Sequence, residues 1–431
     1  MVPADYTLQR LRAVIAQAKA LQCSEFPYDH SQQALERVLA HFRLLAETME
    51  SLGDNSSTEV VQQQCAIATR DIHVYLPLLG FILRSTNARN AFEFHRPFLR
   101  LAQDVLRPHA DGGHVDTCLV MSSEWDFVPY IYHDIPKLPG FILIGLPAPE
   151  SSNPLLFPLA GHELGHELWN RARHAAKIQR VSENLVLDEM VQKWAECREA
   201  FRWREWEDVS ADATDELRQR LSTDLFWLEP RVQAVWWAMS QAEETFSDLI
   251  GLQLFGESFL YAFAYLLSPR LSVHRAARYP NLRERVGNLL KAAGEFGVLP
   301  PQDFDQQFED LDAPHLAESD QFLLDVADHS LAQILPKLTE MAKGDITSAN
   351  MAGRSAGEVE RIRARYDLVV PAENVKCLTD IFNAAWHAFL DPDLWSDLPE
   401  VQDSREKVLK NLVLKNMEVF EIEHILTEGA T

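Results

Sequence analysis

The stretch Leu159-Ala-Gly-His162-Glu163-Leu-Gly-His166-Glu167 decides how the chain is read, because it sets two imidazoles at i and i+4 with a carboxylate directly after the first. On a helix that spacing stacks His162 and His166 on one face, one turn apart, within reach of a single ion. The pattern is H-E-x-x-H. In such a site zinc takes two histidine nitrogens and a third protein ligand from elsewhere, and the remaining position holds a water that the adjacent Glu163 can deprotonate. One Zn2+ per chain is the expected cofactor.

The third ligand decides the kind of site. An extended motif with a third histidine would need Gly near Trp169 and His at Ala172, and the chain has neither. His174 stands two helical turns beyond His166, about 12 Å along the axis, too far to share the ion. The ligand must come from another segment, and Gln241-Ala-Glu243-Glu244-Thr-Phe-Ser-Asp248-Leu-Ile-Gly251 offers two carboxylates at i and i+4 in a Trp-rich helical context. Glu244 can complete the ligand set, and Asp248 can accept the spare ring N–H of a ligating histidine and fix its tautomer.

With both motifs in view the chain resembles the gluzincin metallopeptidases, whose pattern is H-E-x-x-H followed by E-x-x-x-D. The resemblance implies metal ligands at His162, His166 and Glu244, a general base at Glu163 and a supporting acid at Asp248. It covers residues from about 140 to 290 and implies a zincin-like catalytic core, with a small β-sheet and two long active-site helices. The fold expected is therefore α+β, predominantly α-helical. Residues 1–110 form an N-terminal helical region, 111–300 the metallopeptidase core, and 301–431 an acidic connector and C-terminal helical region.

Composition bounds the partners. The chain is 47% hydrophobic and 24% charged, long enough for two or three domains. Its formal net charge of -24 disfavours nucleic acid and anionic membrane surfaces, which would be repelled. The first residues lack the basic start and apolar core of a secretory signal, so a cytoplasmic location is expected. Cys23, Cys65, Cys118, Cys197 and Cys377 have no paired spacing and read as reduced thiols. The most apolar stretch, Leu249 to Leu267, approaches a membrane span in length but contains Gln253, Gly256 and Glu257, and it reads as one buried core helix.

Taken in order, residues 1 to about 110 show helical periodicity, as in Leu35, Val38, Leu39, Phe42 and Leu45. Asp54-Asn-Ser-Ser-Thr is a loop and helix cap. After a turn at Asp111-Gly-Gly, β-like runs appear at Thr117–Met121 and Phe141–Leu146. The second run is either the rim of a cleft, where an extended substrate could pair with its backbone, or a buried central strand. Asn153-Pro154 opens the motif helix, which is expected to run through Ile178. An acidic loop from Glu207 leads to a second long helical region, Leu217 to Leu254, with Trp227, Trp236 and Trp237 read as core. Residues 300–320 read as an exposed acidic connector, Lys343 to Gly357 as a flexible or capping segment, and Glu358 onward as helical.

A second chemical stretch, Ser272-Val-His274-Arg-Ala-Ala-Arg278-Tyr279-Pro-Asn-Leu-Arg283-Glu-Arg285, is similar to the His-Pro and downstream Arg segment of some gluzincins, with Arg275 in place of the proline. A donor at His274, Tyr279 or Arg285 aimed at the oxyanion of amide hydrolysis would stabilise the transition state more than the ground state.

The function expected is zinc-dependent peptide-bond hydrolysis of a peptide or protein substrate. An endopeptidase is favoured, because no group stands out to grip a substrate N-terminus. One alternative is a regulatory or scaffold protein with a zinc-binding metallopeptidase fold and conditional catalysis, against which the intact Glu163 weighs. A remoter one is a di-iron helical protein, because Glu163-x-x-His166 and Glu421-x-x-His424 share the spacing of a carboxylate-bridged site. Substrate identity and oligomeric state leave no signature in the sequence.

Overall fold

The computed structural model describes residues 3–52, 56–85, 91–109, 116–124, 129–132, 135, 137–150, 152–202, 214–268, 276–308, 316–349, 351, 354–402 and 404–428. Over these residues the chain is mostly helical with one small sheet, the α+β, predominantly helical class expected. It divides into two compact units. One comprises Met1–Gln103, Ala110–Pro154 and Leu414–Thr431, the other Asp104–His109 and Leu155–Val413.

In the first unit, helices α1 (Pro3–Leu21), α2 (Asp29–Ser51) and α3 (Thr58–Arg84) pack on one another. The face that does this on α2 is Leu35, Val38, Leu39, Phe42, Ala46 and Met49, all buried at three- and four-residue spacing. Ser57 caps α3, its hydroxyl accepting from the Val60 N–H at 3.3 Å, whereas Asp54 and Asn55 lie outside the described residues. Among the described residues α3 is also the one helix long and apolar enough to cross a membrane by length and composition. Its apolar face, with Ile72, Tyr75, Leu79 and Ile82, is built into the core of this unit.

A single π turn, Ala91–His95, leads into α4 (Arg96–Leu106), and three strands follow: β1 (Cys118–Glu124), β2 (Tyr130–Tyr132) and β3 (Phe141–Pro147). The sheet order is β1-β3-β2. β1 and β3 are parallel, from Cys118 opposite Phe141 to Glu124 opposite Pro147, and β2 is antiparallel to β3 over Leu143–Gly145. β3 is a nearly continuous apolar run and β1 is apolar over Cys118–Met121, with both strands mostly buried, as suits strands covered on two faces. β3 is thus a central strand with neighbours on both sides, so the middle of Phe141–Leu146 offers no free edge for substrate pairing. The buried-strand reading is the one that holds.

His95 is buried, stacks on Tyr28 with ring centroids 3.7 Å apart, and places Nε2 2.8 Å from the Leu119 carbonyl. Burial pushes its pKa down to about 4.

In the second unit the helices are α5 (Ala160–Arg171), α6 (His174–Gln192), α7 (Trp194–Ala200), α8 (Thr214–Thr223), α9 (Leu225–Phe255), α10 (Glu257–Leu267), α11 (Leu282–Phe296), α12 (Glu318–Ser348), α13 (Ala356–Asp367), α14 (Leu378–Leu390) and α15 (Pro399–Gln402). A last helix, α16 (Arg405–Glu428), belongs to this unit up to Val413. α9 is the axis of the unit and touches α5, α6, α8, α10, α11, α12 and α14. Its N-terminal half joins Trp227 and Trp237 to a core with Val186, Met190, Trp194, Leu217 and Phe322.

Several element boundaries differ from the sequence expectation. A 3-10 turn, Pro154–Leu159, precedes α5, which then stops at Arg171 instead of continuing past Ile178. Arg173 adopts a left-handed backbone, φ 54°, and the chain restarts as α6 at His174, whose Nε2 lies 2.6 Å from Asp345 in the interior. Leu217 to Leu254 is likewise two helices. Asp224 closes α8 through its N–H to the Arg220 carbonyl and opens α9 by accepting from the Trp227 N–H. Gly256, at φ 62°, splits Leu249 to Leu267 into the buried end of α9 and α10. Trp236 is 59% exposed and not core, since it points away from the face that buries Trp237 and Ala238. Lys343 to Ser348 is the last part of α12 rather than a flexible segment, held by buried Ala342 and Asp345. All five cysteines are free.

α5 and α9 pack closely against each other. A Cβ added at Gly165 would lie 2.5 Å from the Ser247 Cα, and one at Gly161 would lie 2.8 Å from the Phe255 ring and 3.1 Å from the Gly251 Cα. The two backbones therefore approach closely because Gly161 and Gly165, one turn apart, carry no side chains.

Two predictions follow from this packing. Gly165→Ala lowers unfolding free energy by about 1–3 kcal/mol through overpacking. By contrast Gly344→Ala, on α12 with nothing within 4 Å of the new methyl, raises it by about 0.5–1 kcal/mol. Equal responses of the two variants in denaturant unfolding would refute the close approach. For His95, the folded pKa lies below the unfolded value near 6.5, so its stabilising effect is fully present above pH 6.5 and is lost as pH falls towards 4. The loss is about 3 kcal/mol for the 1.36 kcal/mol per unit of linkage, and His95→Gln flattens that part of the pH–stability curve.

Candidate metal centre

His162 and His166 rise from α5, and Glu243, Glu244 and Asp248 from α9. The contacts run antiparallel: the α5 residue that comes first meets the α9 residue that comes last. The Nδ1 of His162 is 2.9 Å from Asp248 Oδ1, and the Nδ1 of His166 is 2.9 Å from Glu243 Oε1. An ionised carboxylate only accepts, so each Nδ1 carries a proton and donates it. The two Nε2 atoms are then left with lone pairs, and they face each other at 3.2 Å.

Glu244 completes the cluster. Its Oε2 lies 3.4 Å from the Nε2 of His162 and 3.8 Å from that of His166. That oxygen is buried and, among the described residues, has no partner at hydrogen-bond distance, although the residue is only 1% exposed. Two lone pairs and a bare carboxylate oxygen converging in a buried place repel one another unless a proton or a cation lies between them. The three ligating atoms fall within 4.8 Å of one another, and His162, His166 and Glu244 could hold a metal ion. Two imidazoles and a carboxylate are a donor set suited to zinc.

Each of the three has its own support. Asp248, which carries His162, is itself held by Arg285, whose Nε and Nη2 donate to its two oxygens at 2.5 and 2.7 Å. Glu243 carries His166. Arg278 donates from Nε to Glu244 Oε1 at 3.0 Å, which leaves Oε2 turned towards the histidines. Such outer partners orient ligands and set their tautomers.

The electrostatics favour positive charge at this point. Burial works against a charged His162, but the neighbouring Asp248 and Glu244 carboxylates outweigh it and lift the imidazole to about 10, so without an ion its Nε2 carries a proton towards Glu244, which a bound cation would displace to expose the lone pair. Burial also opposes ionisation of Asp248, yet Arg285 and His162 hold it down at about 2. Glu244 is lowered for the same reason, with His162 outweighing its burial. Glu163 behaves differently. It is buried, and burial pushes its carboxyl up against the pull of His162 and His166.

Of the other residues proposed from sequence, Arg285 is brought to Asp248 and its guanidinium is engaged there, with the Tyr279 ring 5.5 Å away. Its helix α11 is set by Asn281, whose side chain accepts from the Arg283 N–H at 2.9 Å. Tyr279 is 38% exposed, and its phenol is held protonated by burial and by Glu244. His274 lies outside the described residues. Glu421, in the first unit, receives Arg100 Nη2 at 3.1 Å.

Sequence reading did not assign Glu243 or Arg278. Glu243 had a signal, since two histidines one turn apart need two acceptors, and an antiparallel partner helix supplies them about one turn apart. Arg278 had none, because it reaches Glu244 from a turn rather than along a helical register.

Comparison with family models, with characterised proteins and with solved structures returns no match.

The cluster makes a stoichiometric prediction. Purified protein loaded with zinc and dialysed retains one equivalent by elemental analysis, and Glu244→Ala retains little. Glu243→Ala, which removes a partly exposed acceptor, weakens zinc about 10- to 100-fold in competition with a chelator. Full retention by Glu244→Ala would show that the third ligand lies elsewhere.

Proposed function

We propose that this chain is a zinc-dependent peptide hydrolase of the gluzincin type, with α5 and α9 as the two active-site helices of a zincin-like core. The observation that carries the reading is the convergence of two histidine lone pairs and the partnerless Glu244 oxygen next to a buried glutamate, Glu163. A site that only held structure would need no such carboxylate and would close with four protein ligands. The endopeptidase form is favoured, since among the described residues no cluster in the site is dedicated to a substrate amine.

His162, His166 and Glu244 would hold the ion, which when bound supplies Lewis acidity and makes a water easier to deprotonate. Glu163 takes the proton from the attacking water and passes it to the nitrogen of the leaving amine, a task suited to a carboxyl whose pKa is raised. Asp248 and Glu243 keep both imidazoles in the tautomer with Nε2 unprotonated, and Arg285 keeps Asp248 ionised and fixed. Tyr279 is a neutral O–H donor beside this cluster and is assigned to the developing oxyanion. Arg285, engaged by Asp248, acts as a positioning residue.

Glu163→Gln separates the roles. The variant keeps its zinc equivalent and the wild-type unfolding midpoint, while kcat/KM on a mixed peptide library falls by about 10^2- to 10^4-fold, the usual share of a general base. Turnover undiminished in Glu163→Gln would refute the assignment.

A further inference from the structure

The two arginines at the centre stand in contrasting situations. Arg285 is 13% exposed and grips Asp248 with two N–H groups, the geometry of a structural ion pair. Arg278 is 53% exposed and touches Glu244 with Nε alone. Among the described residues that carboxylate is its one partner. A guanidinium has two edges able to form paired N–H bonds, and contact through Nε leaves the Nη1/Nη2 edge available. The Nε contact holds this guanidinium against Glu244, whose other oxygen faces the histidine nitrogens.

The surroundings make this cation unusual. Glu163, Glu243, Glu244 and Asp248 crowd the site with negative charge, and the whole chain carries -24. An acidic substrate would be repelled unless a specific cation received it. A half-exposed arginine with a free fork, fixed against a ligand of the site, meets that need, and planar bidentate capture of a carboxylate is what the fork does best.

We propose that Arg278 selects the substrate by binding a carboxylate next to the bond to be cut, so that the preferred peptides carry there either an acidic side chain or a free C-terminus. This rests on the peptidase reading and deepens it.

The test uses zinc-loaded protein and two matched peptide pairs, one with a C-terminal acid against its amide, the other with an internal Glu against Gln. Wild type favours the carboxylate member of at least one pair by about tenfold or more in kcat/KM, the scale of a charge-assisted hydrogen bond. The pair that shows the preference identifies the source of the carboxylate. In Arg278→Gln the preference collapses to about twofold or less, and Arg278→Lys, with charge but no fork, keeps part of it. A purely structural Arg278 would change zinc affinity and overall rate without changing this ratio. Equal use of both members by wild type, or a preference that survives in Arg278→Gln, overturns the proposal.

The same pairs, dye-labelled, are also titrated against zinc-loaded Glu163→Gln and its double variant with Arg278→Gln by fluorescence anisotropy, which needs no turnover. Equal binding of acid and neutral peptides there overturns the role of Arg278 as well. Absence of cleavage by wild type counts against the peptidase reading alone.

Discussion

Close approach of two antiparallel helices is the constraint on which the second unit depends. Gly161 and Gly165 sit one turn apart on α5, and each is followed directly by a histidine of the site. The missing side chains let α5 lie against Ser247, Gly251 and Phe255 of α9. The same residues that bring the backbones together thus bring His162 and His166 to Glu243, Glu244 and Asp248. A side chain at either glycine would push the helices apart by a good part of a hydrogen-bond length, and contacts of 2.9 Å do not survive such a shift. Packing and chemistry are here one requirement, because α9 is also the helix that most other elements of the unit touch.

The second constraint is charge. Four carboxylates and two guanidiniums meet two imidazoles around one point, and most of these groups are buried. A buried charge is tolerated only where it is paired and hydrogen-bonded. Asp248 satisfies this with Arg285 and His162, Glu244 half satisfies it with Arg278, and the remaining Glu244 oxygen does not satisfy it with any protein group. The imbalance falls at the spot where the two imidazole lone pairs also point. Local frustration of this kind is what a site retains when function, rather than stability, has set its composition.

Much of this was legible in the sequence. The spacing of His162, Glu163 and His166, and of Glu244 and Asp248, follows from helical periodicity, which also identified α2, while short β-like runs marked the strands β1 and β3. What escaped depends on backbone conformations that periodicity does not encode. Arg173 in a left-handed conformation ends α5 without a glycine or proline to announce it, and Asp224 serves two helices at once as a cap. Trp236 looked like core because neighbouring tryptophans are, yet adjacent positions on a helix face directions about 100° apart. The β2 strand, three residues long, carries too few positions for an alternation to register. Arg278 comes from a turn, whose side-chain directions follow from tertiary contacts alone.

On the proposed reading, metal affinity and folding would be coupled at one place. A cation bound between His162, His166 and Glu244 would relieve the lone-pair repulsion and engage the partnerless oxygen, so its binding free energy also stabilises the α5–α9 crossing. The coupling runs in both directions, because anything that loosens the crossing at Gly161 or Gly165 spreads the three ligating atoms and weakens the ion. Glu163 belongs to the same rigid helix segment, between the two histidines. Its position relative to any ion held there would thus be set by helix geometry rather than by a loop, the pre-organisation that the proposed proton transfer would require.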